Sequence, residues 1–325
     1  MAAAADDEPD SEPRGPSEEP GPPTTLRVTV RPDGGPVLAA VTASGVFVID
    51  GVQAPARGRW RRVATVRAPL SRDVALALEP APGFVVWTDH DGVRGRALRL
   101  HGARPGLGDP RLLAIPPADG QARYPVVAFG HPDGGLCVLW TSDRMNLALA
   151  EERAWGTVQG AVPVPWARDD GEKLAGLDCC RQTSRTGWLL CRTDRGRLLA
   201  ARWDLTVNEC GGWFDLNPPA VPVAAAVACL RTAPFAIAAT AGGQLLSVDV
   251  RAAADGRTQW HSVDRPQQIR HQPPARVLAA DGPRERPEDP GWLALAGNGS
   301  VWAMPVTLAD GIVECGTPVP VWTGE

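Results

Sequence analysis

The chain has little tyrosine, phenylalanine or lysine and no long apolar run. Its 325 residues include one Tyr, five Phe and 12 Trp, and Lys173 is the only lysine. This arginine bias, with abundant Ala, Gly and Pro, suggests a high-GC bacterial genome. No stretch approaches the roughly 18 continuous apolar residues of a membrane helix. The acidic Asp6–Glu8 follows Met1–Ala5 directly, without the apolar region of a secretion signal. We therefore expect a cytoplasmic protein that does not contact membranes.

The chain also lacks the cysteine and histidine patterns of metal sites. Its seven cysteines include no C-x-x-C pair, and most stand in apolar strand patterns, as in Leu136–Val138. This favours reduced, buried thiols over disulfides or zinc ligands. The net charge of −4 gives no general attraction to nucleic acid. We expect no metal, no cofactor and no nucleic-acid partner.

One β-hairpin turn recurs along the chain. Its turn glycine recurs at intervals of about 50 residues, the period of a β-propeller blade, and one copy has Asn in its place. Glycine tolerates positive φ, and asparagine is the next most tolerant residue. The turn residues are Gly45, Gly92, Asn146, Gly196, Gly243 and Gly299.

The repeats predict an all-β fold, a six-bladed β-propeller with four-stranded antiparallel blades. Residues 25–325 form the propeller, with blades at about 25–66, 67–115, 116–165, 166–217, 218–264 and 265–325. Residues 1–24 form an acidic, proline-rich tail. The tail has no periodic apolar residues, so burial cannot offset its ordering entropy and we expect it to be disordered. The tail is either a tether for a partner or a solubilising extension.

Individual strands carry further signals. The first strand of each repeat is rich in small residues, which suits a narrow central channel, and Asp73 and Asp178 are its acidic exceptions. We expect these two to serve either a channel site or hydrogen bonds at blade edges. In the fifth repeat, the third strand is predicted at Leu245–Arg251. Four outer strands begin with a tryptophan whose ring can cover the gap between blades; these are Trp60, Trp155, Trp213 and Trp260.

Two segments resemble the propeller lectins of the fucose-binding and tectonin type. Gly134–Trp140 followed by Ala154–Gly160 is similar to their hairpin and tryptophan-containing outer strand, and Gly299–Trp302 resembles a tectonin hairpin. The resemblance covers residues 25–325 as a loose pattern and implies a propeller that binds sugars. The chain departs from these lectins because the Trp, Arg and Glu set of their pockets does not recur in every repeat.

The turns between second and third strands are expected to share one face with the connections between blades. Polar and charged residues concentrate there and in the connection between the fifth and sixth repeats. They either contact a partner or, for Asp, Asn and Ser, stabilise tight turns. The candidate partner contacts are Asp89, His90, Arg144, Arg195 and Arg270.

Three functions remain open. The regular repeats favour a non-catalytic protein-interaction module, such as an adaptor, scaffold or sensor subunit of a bacterial cytosolic complex. The surplus of tryptophan and the lectin resemblance support a carbohydrate-binding propeller as the alternative. A propeller hydrolase or lactonase is third. The sequence contains no G-x-S-x-G or H-E-x-x-H motif, so we name no catalytic residue.

Overall fold

A computed structural model describes most of the chain from residue 21 onward. The described ranges are 21–52, 60–64, 73–78, 83–89, 92–100, 106–114, 122–130, 136–142, 147–154, 157–158, 162–164, 171–207, 209–270, 275–283, 288–297 and 299–323. Residues 1–20 of the predicted tail, together with Asn146 and Trp155, lie outside them.

The described strands form six antiparallel sheets, numbered here in chain order. Sheet one contains β1 (Thr25–Val30), β2 (Pro36–Thr42), β3 (Gly45–Asp50) and β4 (Arg61–Ala64). Sheet two contains β5 (Val74–Ala77), β6 (Gly83–Asp89), β7 (Gly92–Arg99), β8 (Gly106–Leu107) and β9 (Arg111–Ala114). Sheet three contains β10 (Ala122–Gly130), β11 (Leu136–Ser142), β12 (Leu147–Ala154), β13 (Thr157–Val158) and β14 (Val162–Val164).

The other three sheets come from the C-terminal half of the chain. Sheet four contains β15 (Leu174–Arg181), β16 (Thr186–Thr193), β17 (Leu198–Asp204), β18 (Glu209–Cys210) and β19 (Phe214–Asp215). Sheet five contains β20 (Pro222–Leu230), β21 (Ala233–Thr240), β22 (Leu245–Asp249) and β23 (His261–Val263); helix α1 (Val250–Ala254) connects β22 to β23, and the 3-10 turn Gln267–Ile269 follows β23. Sheet six contains β24 (Val277–Asp281), β25 (Gly291–Gly297), β26 (Ser300–Ala309), β27 (Ile312–Cys315) and β28 (Val319–Thr323).

The sheets pack face to face in a ring. Each hydrophobic cluster in the described residues lies between two successive sheets, and one joins sheet six back to sheet one through Leu26, Leu38, Ala279 and Ala294. No described strand is exchanged between these two sheets. The all-β class and the propeller arrangement of small antiparallel sheets are therefore confirmed.

The prediction of four continuous strands in every repeat is wrong for sheets two, three, four and six. In these sheets the outer strand is broken into two short pieces that both pair with the third strand. In sheet five the predicted third strand is too long. It ends at Asp249, whose Oδ1 accepts hydrogen bonds from the N–H groups of Arg251 (2.8 Å) and Ala252 (3.1 Å) and so caps α1.

Three of the four repeated tryptophans cover gaps between sheets, as predicted. Trp60, Trp213 and Trp260 each precede an outer strand and pack against an inter-sheet cluster. The Trp260 Nε1 also donates to the carbonyl of Leu216 in the preceding sheet, at 2.8 Å.

All seven cysteines are free thiols, and four are buried. No helix in the described part of the chain is long and apolar enough to cross a membrane.

Buried aspartates link the first strands of neighbouring sheets. Oδ2 of Asp73 accepts from the N–H of Val126 at 3.0 Å, and Oδ2 of Asp178 accepts from the N–H of Val227 at 2.9 Å. Asp281 completes the series across the ring closure. Both sequence-identified aspartates therefore form hydrogen bonds at blade edges, one of the two roles expected for them.

Asp281 holds sheet six against sheet one. Its Oδ2 accepts from the Thr29 hydroxyl at 2.7 Å and from the N–H of Val30 at 3.1 Å. Its Oδ1 accepts from the N–H of Gly282 at 2.9 Å. A buried carboxylate with these donors satisfies backbone groups that would otherwise face the channel unpaired.

We predict that Asp281→Ala destabilises the protein by about 3 kcal/mol, because it leaves buried donors of Thr29 and Val30 without an acceptor. Asp281→Asn keeps one acceptor oxygen and should cost less. Urea denaturation followed by tryptophan fluorescence measures both. Asp255→Ala is the control, because that side chain is 66% exposed. Equal stabilities for Asp281→Ala and the control would contradict the role of Asp281.

The hairpin turns and the starts of the first strands share one face of the ring. The N–H of Thr24 donates to the carbonyl of Val41 (2.8 Å), and the N–H of Asp194 donates to the carbonyl of Lys173 (2.9 Å). In sheets one and four, these bonds join the end of the second strand to the residue that precedes the first strand. We call this side the turn face.

The turn glycines on this face have the expected backbone. The φ angle of Gly196 is +82°, and a Cβ added there would lie 2.6 Å from Cγ1 of Val221. A side chain at this position therefore meets both backbone strain and a neighbour.

We expect Gly196→Val to lower the free energy of unfolding by about 2 kcal/mol, because valine resists positive φ. Gly212→Val is the matched control, since an added Cβ there meets nothing within 4 Å and no positive φ applies. Thermal unfolding of both variants tests this, and an unchanged midpoint for Gly196→Val would refute it.

Candidate functional site

Among the described residues, Arg27 crosses the central channel. Arg27 lies on β1 of sheet one, and its Nη2 donates to Oδ2 of Asp73 in sheet two at 2.7 Å. The same nitrogen donates to the carbonyl of Leu177 in sheet four at 2.8 Å. Arg27 therefore spans three sheets.

The charges around Arg27 keep it ionised. Burial lowers the pKa of its guanidinium, but the charges of Asp73 and then Asp178 outweigh burial, so the pKa is raised. Its Nε is buried and has no hydrogen-bond partner among the described residues. One donor of this arginine is therefore left over inside the channel.

A cavity of about 430 Å³ opens above Arg27 on the turn face. Arg27 also lines a smaller space of about 30 Å³ below it, beside Asp178 and Asp281. We call the larger space the mouth cavity. Its size falls in the range of small-molecule sites, and its charged lining residues are Arg27, Asp73, Arg192 and Arg276.

Arg192 reaches the mouth cavity across a glycine. It lies at the end of β16, directly opposite Gly176 of β15. A Cβ at position 176 would lie 3.5 Å from the Nε of Arg192, in van der Waals contact, so the arginine side chain packs directly beside this glycine. The Nη2 of Arg192 donates to the carbonyl of Ala175 at 3.1 Å. Burial lowers the pKa of Arg192, because no carboxylate among the described residues offsets the lost hydration of its charged form.

Arg276 stands at the rim of the same cavity. It precedes β24, and its N–H donates to the carbonyl of Ala296 at 3.0 Å. Its side chain is exposed. Arg27 is paired with Asp73. The described lining therefore has excess positive charge, which comes from Arg192 and Arg276.

Asp178 lies deeper in the channel, and the pKa of its carboxyl group is raised. Burial raises its pKa to about 6, against the opposing effects of the Arg27 charge and of the hydrogen bond from the N–H of Val227. Because the pKa is higher in the folded than in the unfolded protein, protonation stabilises the fold. This contribution is complete below about pH 4 and is lost as the pH rises through 6.

We predict that Asp178→Asn removes this pH dependence. The wild-type contribution of Asp178 should fall by roughly 3 kcal/mol between pH 4 and pH 7. The amide oxygen of Asn still accepts from Val227, so the variant should gain stability relative to wild type as pH rises. Chemical denaturation across this range gives the difference curve, with Asp255→Asn as the exposed control. Parallel curves for Asp178→Asn and wild type would show that Asp178 does not titrate as described.

The structure describes only part of the sequence-predicted contact set. Arg195 is exposed in the turn between β16 and β17, and Arg270 is exposed after the 3-10 turn Gln267–Ile269. Asp89 ends β6. His90 and Arg144 lie outside the described residues. No contact between Arg195 and Arg270 is recorded in the described part of the chain.

Sequence reasoning missed the residues that line the mouth cavity. Arg27, Arg192 and Arg276 were not selected, although each left a signal in the sequence. Arg27 is the one charged residue of its own first strand, Thr25–Val30. Arg192 and Arg276 flank a hairpin turn and a first strand, the two positions that meet on the turn face.

Among the described residues, no three His, Cys, Asp or Glu side chains come together as a group able to hold a metal ion. Each of the three channel aspartates has its own backbone donor, the N–H of Val126, Val227 or Val30.

No protein-family model and no curated protein matches this sequence. Solved structures match the fold. The BP39L lectin from Burkholderia pseudomallei is 15% identical with a TM-score of 0.58, covering 91% of this chain and 84% of that one. The SapL1 lectin in complex with alpha methyl fucoside is 13% identical with a TM-score of 0.54, covering 92% and 96%. BBS1N in complex with ARL6DN is 10% identical with a TM-score of 0.51, covering 93% and 82%.

Proposed function

We propose that this chain is a non-catalytic recognition module, a six-bladed propeller that binds an acidic protein partner through its turn face. The observation that carries the proposal is the arginine-rich surface around the mouth cavity. Arg192 and Arg276 line the cavity, and the exposed Arg195 and Arg270 follow on the same face.

The charge distribution supports an acidic partner. The whole chain has a net charge of −4, whereas the described lining of the mouth cavity contains three arginines and one aspartate. Complementary charge accelerates association and fixes orientation. Asp73, the aspartate that lines the mouth cavity, is already paired with Arg27, so it does not compensate the charges of Arg192 and Arg276.

The packing supports a rigid scaffold. Hydrophobic clusters between successive sheets and the aspartate bonds of the first strands hold the ring together. Loops on such a scaffold are held in place for recognition. A similar fold in BBS1N is found in complex with another protein, ARL6DN. We place the module in the bacterial cytoplasm, as an adaptor, scaffold or sensor subunit; its free thiols fit a reducing compartment.

A carbohydrate-binding role is the second candidate, favoured by the lectins of similar fold and by one cleft between sheets five and six. Arg265 and Trp302 both line this cleft, and an arginine beside an indole suits a sugar. The cleft holds only about 10 Å³, so a sugar ring requires the cleft to open. A glycan array tests this alternative. An assay of lactone and ester hydrolysis tests the third function, that of a propeller hydrolase.

The test of the main proposal is quantitative affinity capture with the double variant Arg195→Ala/Arg270→Ala. We expect at least about a tenfold loss of captured partner, weaker capture in high salt and an unchanged melting temperature. Arg257→Ala is the matched control, because this exposed arginine follows α1, on the opposite side from the hairpin turns. A partner captured equally by the double variant and the control would contradict the proposed surface.

A further inference from the structure

The mouth cavity contains a half-buried guanidinium, that of Arg192, without a counter-ion among the described residues. Arg192 is largely shielded from water, and a single carbonyl, that of Ala175, is its recorded hydrogen-bond partner. A desolvated charge that is paired only with a neutral oxygen is costly. The other nitrogens of its planar donor fork are available to a ligand.

The rest of the lining adds donors rather than acceptor charge. Asp73 is the one carboxylate among the described lining residues, and Arg27 and the N–H groups of Val74 and Val126 already occupy it. Arg27 retains a buried Nε without a partner. Arg276 adds a second guanidinium at the rim.

Shape supports the same ligand class. The Arg192 side chain lies beside Gly176 of β15, and both residues line the cavity. Thr24 and Thr25 line the opposite part of the cavity. A volume of about 430 Å³ accommodates a small molecule or the terminal group of a larger one.

We propose that the mouth cavity binds an oxyanion group, a carboxylate or a phosphate, held by Arg192 and Arg276. Guanidinium groups bind both anions through paired N–H donors. This inference deepens the proposed function, on which it rests for its biological role: the anion is the group by which the acidic partner is anchored. The bound oxyanion supplies the negative charge that the described lining lacks.

The experiment is calorimetric titration of the purified full chain with citrate, inorganic phosphate and neutral methyl fucoside. We expect saturable binding of citrate or phosphate at one site per chain, and none of the neutral sugar at that site. The tighter of the two anions identifies a carboxylate or a phosphate as the natural group. Absence of saturable binding by both anions at about 10 mM, well above a millimolar dissociation constant, overturns the proposal.

Substitutions locate the site. Arg192→Gln should weaken anion binding by about 10- to 100-fold, and Arg192→Lys should restore part of it. Arg276→Gln should also weaken binding, and its exposed position keeps the test valid if Arg192→Gln fails to fold. Arg257→Gln is the control. Unchanged anion affinity in both cavity variants overturns the assignment.

The two proposals fail separately. If the partner is captured through Arg195 and Arg270 but citrate and phosphate neither bind nor compete, the oxyanion site is wrong and the recognition surface stands. If the anions bind through Arg192 but no partner depends on Arg195 and Arg270, the proposed partner surface is wrong and the oxyanion site stands.

Discussion

The ring depends on carboxylates that cross from one first strand to the next. A first strand has one edge paired with its own sheet and the other facing the channel, where its N–H groups have no ladder partner. Asp73, Asp178 and Asp281 supply acceptors for these groups in sheets three, five and one. The backbone N–H groups that these aspartates bind belong to alternate sheets, so the same contact recurs at every second sheet around the ring.

These bonds bring negative charge into the channel, and Arg27 balances part of it. Its guanidinium pairs with Asp73 and extends to Leu177, so one side chain ties three sheets together. Asp178, which has no equally close cation, has its pKa raised to about 6 by burial. The upper end of the channel has the opposite balance, since Arg192 and Arg276 exceed the carboxylates described there. The Arg27–Asp73 pair thus lies at the mouth cavity together with Arg192 and Arg276, whereas Asp178 and Asp281 line the smaller space below it.

Much of the architecture could be predicted from particular residues. The turn glycines located the hairpins, and Gly196 and Gly243 adopt φ angles of +82° and +83°. Trp60, Trp213 and Trp260 indicated where outer strands begin. The pattern was insufficient where strands break or end early, because a capping contact such as that of Asp249 with Ala252 decides the boundary. The candidate site was predicted only as a face: Arg195 and Arg270 are exposed on it, while Arg192 and Arg276 were missed.

The sequence by itself determined the local structure: alternating apolar strands, glycine turns and a repeat length that fits one sheet. These features follow from neighbours within one repeat. Only the tertiary structure decided which charges meet in the channel. Thr29 and Asp281 are 252 residues apart and form a hydrogen bond because the ring closes. The contacts of Arg27 with Asp73 and Leu177, and the position of Arg192 in the mouth cavity, likewise depend on ring closure and strand register. A single repeat determines neither of these arrangements.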